Sequence, residues 1–218
     1  MRTHQIPDSI AYVRKVFAHE SAAMLDCRAW MSELGVEGMH VGPEEGAYLT
    51  FFAQLIGARK ILELGTLGGY SGLWLARALP EDGLLYTVER REVFAERARA
   101  FFAQEGIAHK VQVLTGDAHS LLPALAEHAP YDLIFIDADK SGYPDYLAWS
   151  ARHLRTGGLF IADNTFLYGA VWEGSPPKGI TFRQWQAMRD FNEQVASSPA
   201  WRSILLPTGE GLVLAQRT

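Results

Sequence analysis

A doubly wound α/β domain is the expectation this chain sets up, and three observations carry it. From Arg59 to Asp163, apolar runs alternate strictly with segments of helical period. Each run is about five residues of Leu, Ile, Phe, Val or Tyr, the composition of a strand covered on both faces of a parallel sheet. Several runs end on an acid or an amide: Glu89 closes LLYTVE, Asp137 closes DLIFID, and Asp163 with Asn164 closes LFIADN. In open α/β sheets ligands bind beyond the carboxyl ends of the strands, so oxygen-rich termini there read as ligand contacts.

The elements follow in order. From Asp8, a candidate N-cap, to about Leu34, apolar residues recur at helical spacing through Ile10, Val13, Val16, Phe17, Met24, Leu25 and Trp30, as one long or broken helix. After GVEGMHVGP, Pro43 opens a helix whose buried stripe is Tyr48, Leu49, Phe52 and Leu55, ending at Gly57. Residues 1–57 thus form an arm and cap, and 58–218 the core of one domain. There, RKILEL leads through GTLGGYSG into a helix over SGLWLARAL. LLYTVE precedes a helix from about Arg91 to Gln104, and VQVLTG a short one ending near His128. DLIFID, a helix through YPDYLAWSARHL and then GLFIAD continue the alternation, for which right-handed crossovers make a parallel sheet the economical topology. GAVWEGSPPKGI has the glycines and paired prolines of a surface loop or lid. TFRQWQAMRDFNEQVASS returns to helical spacing through Trp185, Met188, Phe191 and Val195. WRSILLP and GLVLAQR, separated by TGEG, form an antiparallel hairpin at the sheet edge.

Size and composition narrow the function. At 218 residues, 48% hydrophobic and 21% charged, the chain suits a single globular domain with a full core. A formal charge of −5 gives no overall attraction to phosphate backbones, so nucleic acid is not an expected partner. The lone Cys27 excludes an intrachain disulfide framework and a thiolate metal cluster, and suits a reducing cytoplasm. Neither a signal-like N-terminus nor an apolar run near 18 residues stands in the chain, so no membrane partner is expected.

Glycines 65, 68 and 69 after the first core strand let the backbone approach a ligand at a helix N-terminus, although such a turn also serves merely to pack helix on strand. Glu89, at the end of the next strand, stands where a carboxylate accepts both hydroxyls of a ribose. Asp117 suits a polar contact to adenine, with the Ala118 N–H for a ring nitrogen; it serves equally as a helix N-cap. GTLGGY lacks the G-x-G-x-x-G spacing that cradles a pyrophosphate, because Thr66 and Leu67 separate the first two glycines. S-adenosylmethionine (SAM) carries no phosphate, and its sulfonium and ammonium suit Glu63, Asp137 and Asp139. Arg90 and Arg91 keep an NADP-dependent oxidoreductase as the alternative from another class.

Asp137, Asp163 and Asn164 are oxygen donors without His or Cys, the ligand set of Mg²⁺, Mn²⁺ or Ca²⁺. A vicinal diol on an aromatic ring could chelate such an ion. Lys140, three residues beyond Asp137, could then take the hydroxyl proton if burial and the cation depress its pKa; otherwise it is a surface amine paired with Asp139 or Asp145.

ELGTLGGYSGLWLA, PEDGLLYTVE, DLIFIDADKSGYPDY, GGLFIADNT and LLPTGEGLVLAQR, in that order and spacing from about Met39 onward, resemble the cation-dependent O-methyltransferases typified by caffeoyl-coenzyme A and catechol O-methyltransferases. The resemblance implies a seven-stranded Rossmann-like methyltransferase sheet with its last strand antiparallel, and a homodimer. It implies Asp137, Asp163 and Asn164 as metal ligands and Lys140 as the base. The cofactor contacts it implies are Met39, Val41, Glu63, Gly65, Ser71, Glu89, Ala118 and Asp139, beside which Thr66, Asp117 and Asp137 are also expected to contact the cofactor. Plant members usually carry a tryptophan two positions after the threonine of DNT. Here the run is DNTFLYGAVW, so the aromatic wall for a phenolic substrate falls to Phe166, Tyr168 or Trp172. The expected reaction is methyl transfer from SAM to a hydroxyl of a catechol-like or phenylpropanoid molecule. A hydroxylated tRNA uridine is the alternative acceptor, and a catalytically silent binding protein the bland reading.

Overall fold

The computed structural model describes residues 9–218; the candidate N-cap Asp8 lies outside them. The arm is two helices, α1 (Ser9–Phe17) and α2 (Ala22–Glu33). The break falls where the Ser21 hydroxyl accepts the Met24 N–H and starts a new helix. Pro43 stands in the first turn of α3 (Pro43–Leu55), and Glu45 closes that turn by accepting the Gly42 N–H at 2.7 Å.

The core alternates β1 (Lys60–Leu64), α4 (Tyr70–Ala78), β2 (Leu84–Glu89), α5 (Glu92–Gln104), β3 (Val111–Thr115), α6 (Ala118–Ala126), β4 (Tyr131–Ile136), α7 (Tyr143–His153) and β5 (Leu154–Ala162). α8 (Phe182–Ser197) and the hairpin β6 (Trp201–Leu206) and β7 (Leu212–Arg217) complete it. The seven strands lie in the order β3-β2-β1-β4-β5-β7-β6. All pairs from β3 to β5 are parallel, while β7 runs antiparallel to both β5 and β6. The hairpin therefore enters the sheet by its second strand, and β6 is the edge. Burial explains the order: β7 starts with Leu212, Val213, Leu214 and Ala215, all buried, whereas β6 exposes Arg202, Ile204 and Leu205. β5 begins at Leu154, four residues ahead of the apolar run, with a register shift against β4 between Tyr131 and Leu133.

Period-two alternation divides the core in two. Ile61, Leu85, Leu133, Phe135 and Ile161 pack with α2, α3, α4 and α5 on one face. Leu62, Leu64, Val88, Ile134, Ile136 and Phe160 pack with α6, α7 and α8 on the other. Trp149 and Trp185 belong to this second core. Cys27 is buried on α2, its thiol pushed up to about 12 by burial. Among the described residues no helix is long and apolar enough to cross a membrane.

Asp132, at the start of β4, accepts the Arg59 and Lys60 N–H groups at 2.8 Å each and the Arg155 Nε at 2.6 Å, tying the entries of β1, β4 and β5 together. Burial works against its charge, but these donors hold its carboxyl below the ordinary range. Asp132→Ala should lower unfolding free energy by about 2 kcal/mol, because two backbone donors and a guanidinium lose their acceptor. Denaturant titration reads the loss.

Candidate active site

The register brings the strand ends to one level. Leu64 pairs with Val88 and Ile136, and Ile136 with Ala162, so the residues that follow, Gly65, Glu89, Asp137 and Asp163, emerge in one row. Their backbones confirm it: Gly65 N donates to Val88 O at 3.0 Å, Asp137 N to Leu64 O at 2.9 Å and Asp163 N to Ile136 O at 3.0 Å. Above the row lies a cleft of about 750 Å³, large enough for a nucleoside cofactor and a small acceptor together.

At one end the glycine turn closes on β2. Gly65 has φ +104°, and a Cβ there would lie 1.9 Å from the Asp137 carbonyl oxygen, so only glycine lets β1 and β4 deliver their ends this close. Leu67, itself at φ +47°, donates its N–H to Glu89 Oε2 at 2.8 Å, and Arg91 N donates to Oε1 at 2.8 Å. Glu89 is thereby fixed in orientation, with lone pairs left for a diol. Glu63 is fully buried beneath α4 and accepts the Ser71 hydroxyl at 2.5 Å and the Thr87 hydroxyl at 2.6 Å. Burial pushes its carboxyl up to about 7 against the pull of those two hydroxyls. Thr66 is buried, its hydroxyl 2.5 Å from that of Thr87. Asp117 caps α6 through the Ser120 N–H at 3.1 Å while also lining the cleft with Ala118, so its two readings coexist. Met39, half exposed, and buried Val41 form the opposite wall.

The other end is held by one ammonium. Lys140 Nζ donates to Asp137 Oδ1 at 2.9 Å, to Asn164 Oδ1 at 2.6 Å and to the Tyr143 hydroxyl at 2.8 Å. Tyr143 in turn donates to the Asp163 carbonyl at 2.9 Å. Asp163 is 2% exposed; burial, then the charges of Asp137 and Glu45, push its carboxyl well above the usual range. Glu45 is also raised by burial. Burial pulls the Lys140 ammonium down, but Asp137 and the Tyr143 oxygen outweigh it and the net shift is upward. In this arrangement Lys140 is a charged donor, the opposite of the depressed amine that the base role requires. Among the described residues no three His, Cys, Asp or Glu side chains gather as a metal site. Asn164 sits at φ +56°, a conformation asparagine tolerates better than most residues.

Of the three aromatics expected to face the acceptor, only Tyr168 lines the cleft. Phe166 lies under Gly211, where a Cβ would meet its ring at 2.7 Å, and Trp172 packs edge-on against Phe166 at 5.3 Å between centroids. Left-handed Leu167 and Tyr168 turn the chain there, which no periodicity announces. Sequence reasoning also missed Tyr143, Glu45, His40 and His119. Tyr143 had a signal, standing three residues beyond Lys140; buried Glu45 had none beyond its place in the first turn of a helix.

A seven-stranded sheet in this order, with a nucleoside-sized cleft over its carboxyl edge, defines a Rossmann-like cofactor-dependent enzyme. The chain belongs to the O-methyltransferase family, whose model matches residues 14–218. It is 37% identical to a catechol O-methyltransferase of Niastella koreensis, over 93% of this chain and 91% of that protein. It is 31% identical to caffeoyl-CoA O-methyltransferase 5 of Nicotiana tabacum, over 93% and 87%. The O-methyltransferase TomG of Streptomyces achromogenes, solved in complex with SAM, superposes with a TM-score of 0.86 at 35% identity, over 95% of each chain. The protein is a SAM-dependent O-methyltransferase of the catechol and caffeoyl-CoA type, and the NADP alternative falls.

Gly65→Ala should abolish cofactor binding and destabilise the fold by more than about 2 kcal/mol, since it adds a left-handed alanine to a clash with backbone. Thermal melting with and without SAM reads both effects.

Proposed function

We propose that the protein transfers the methyl group of SAM to one hydroxyl of a small catechol-like phenol, with a divalent cation held by Asp137, Asp163 and Asn164. The observation carrying this reading is the convergence of Asp137 and Asn164 on one cationic atom, with Asp163 buried beside them. Their oxygens suit Mg²⁺ or Mn²⁺, which commonly keep waters and accept substrate oxygens. A divalent ion there would lower the acceptor hydroxyl's pKa and take over the compensation of Asp137 that now rests on Lys140.

The chain's own residues supply the rest. Glu89 orients the ribose, Glu63, buried beneath the cleft rather than lining it, holds the Ser71 hydroxyl and acts on the cationic amino-acid end through its charge, and the Gly65–Ser71 turn sets the sulfonium against the strand ends. With a cation compensating Asp137, Lys140 would release its ammonium proton to solvent, and the neutral Nζ would then take the proton of the acceptor hydroxyl. The phenolate oxygen then forms a bond to the methyl carbon as the carbon–sulfur bond breaks, its electron pair passing to sulfur to leave S-adenosylhomocysteine. Orientation and exclusion of water account for most of the acceleration in such a transfer. The acidic lining favours a small phenol over a polyanionic RNA, and Tyr168 places an aromatic side chain in the cleft wall for an aromatic acceptor.

The test is methyl transfer to catechol, caffeate and hypomodified tRNA with and without EDTA. Chelation should remove phenol turnover and Mg²⁺ restore it; turnover indifferent to chelator defeats the metal assignment. Asp163→Ala should abolish turnover and leave SAM affinity within about threefold, because the residue is assigned to the ion alone.

Cofactor affinity should depend on Glu63. Its carboxyl, raised to about 7, is neutral below that pH and charged above it. A cationic ligand prefers the charged form, so SAM affinity should rise between pH 6 and pH 8, by up to about tenfold. Glu63→Gln should bind weakly with a flat profile; calorimetric titration across that range decides it.

A further inference from the structure

Asp139 lines the cleft with Ala118 and Lys140 and is exposed. The neighbouring Ser141 hydroxyl donates to its Oδ2 at 3.2 Å, and its Oδ1 is held from α7. The Tyr146 hydroxyl, on a fully buried ring, lies 2.5 Å from Asp139 Oδ1 and 2.8 Å from His119 Nδ1. A phenol has one proton to give. Carboxylate oxygen only accepts, so that proton goes to Asp139, and His119 must donate its Nδ1–H to the phenol oxygen. Burial, then the bond to Asp139, pushes the Tyr146 phenol well above its ordinary range, so it keeps the proton it donates. The His119 ring lies 4.5 Å from that of Tyr146, and its Nε2 stands 3.4 Å from Asp145 Oδ2. Gly142 makes room: a Cβ there would come within 2.4 Å of His119 Cε1 and 2.8 Å of the Tyr146 ring.

We infer that Tyr146 and His119 are positioning residues: the imidazole orients the phenol, the phenol aims the Asp139 carboxylate into the cofactor cleft, and this relay between α6 and α7 sets SAM affinity without taking part in methyl transfer. The inference rests on the reading of Asp139 as a cofactor contact. The relay joins the element carrying Ala118 to the one following Asp139, so the two walls of the adenosyl end move as one body. An uncoupled Asp139, free to rotate into solvent, would have to be ordered by the cofactor at a cost in binding free energy.

The test is calorimetric titration of the full chain with S-adenosylhomocysteine, alongside thermal melting, for wild type, Tyr146→Phe, Asp139→Asn and the double variant. Tyr146→Phe should weaken binding about fivefold and Asp139→Asn about tenfold, the scale of one charge-assisted hydrogen bond. The double variant should bind no more weakly than Asp139→Asn alone, since a group acting through Asp139 then has nothing to aim. His119→Ala, at the half-exposed end of the relay, should cost about threefold and likewise lose its effect in the Asp139→Asn background. In Tyr146→Phe the KM for SAM should rise while kcat at saturating SAM holds. Losses that multiply in the double variant, or that track a fall in melting temperature, overturn the proposal. Wild-type affinity in Asp139→Asn overturns it too but leaves the methyltransferase reading intact; a wild-type chain that binds no S-adenosylhomocysteine sinks both.

Discussion

Uncompensated negative charge beneath the cleft is the constraint on which the rest of this molecule depends. Glu45, Glu63 and Asp163 are each at least nine-tenths buried, and Asp137 stands beside them with Lys140 as its one bonded cation among the described residues. Carboxylates packed this way cannot all ionise without further positive charge, and burial has already lifted Glu63, Glu45 and Asp163. The sheet makes the arrangement unavoidable, because parallel register delivers Asp137 and Asp163 to one level and the Gly65 turn brings β1 against β4. Function and fold are thus in tension: the same row that could draw in a sulfonium and a metal weakens the empty protein.

Lys140 relieves part of that tension, and on the proposed reading this is what would let a charged donor turn into a base. While it compensates Asp137 and bonds Asn164 and Tyr143, its proton is held. A stronger cation on the same oxygens removes the reason for holding it. Tyr143 then matters as much as the carboxylates, since its fully buried hydroxyl connects the amine to the Asp163 backbone and keeps Lys140 within reach of the acceptor.

Much of this was legible in the chain itself. The apolar runs named the strands because both faces of β1, β2, β4 and β5 are covered, and their polar ends named the row because parallel register brings Glu89, Asp137 and Asp163 to one level. Glycine 65 was legible as a close approach for the same reason. What remained hidden was set by neighbours distant in sequence. Glu45 is in the first turn of a helix, a place where acids are normally solvated, and only the tertiary fold buries it. β5 begins early because pairing with β4 recruits Leu154 ahead of a left-handed Gly157. The hairpin's insertion could have been read from the apolar start of β7 against the mixed β6. The aromatic wall could not, since left-handed Leu167 and Tyr168 turn Phe166 and Trp172 away.

The charge argument also orders events at the site. A cationic cofactor seated in the cleft above Glu63 would lower the cost of ionising the whole row, because Glu63 feels the charges of Asp137 and Glu89. Each added cation therefore improves the site for the next, so cofactor and divalent ion should help one another bind although they share only Asp137. On the proposed reading, an acceptor hydroxyl arriving last would meet ionised carboxylates and an amine relieved of its partner, the state that would favour loss of its proton. Methyl transfer before that state would require a neutral phenol to attack, and Lys140 could not assist it while it still holds its proton.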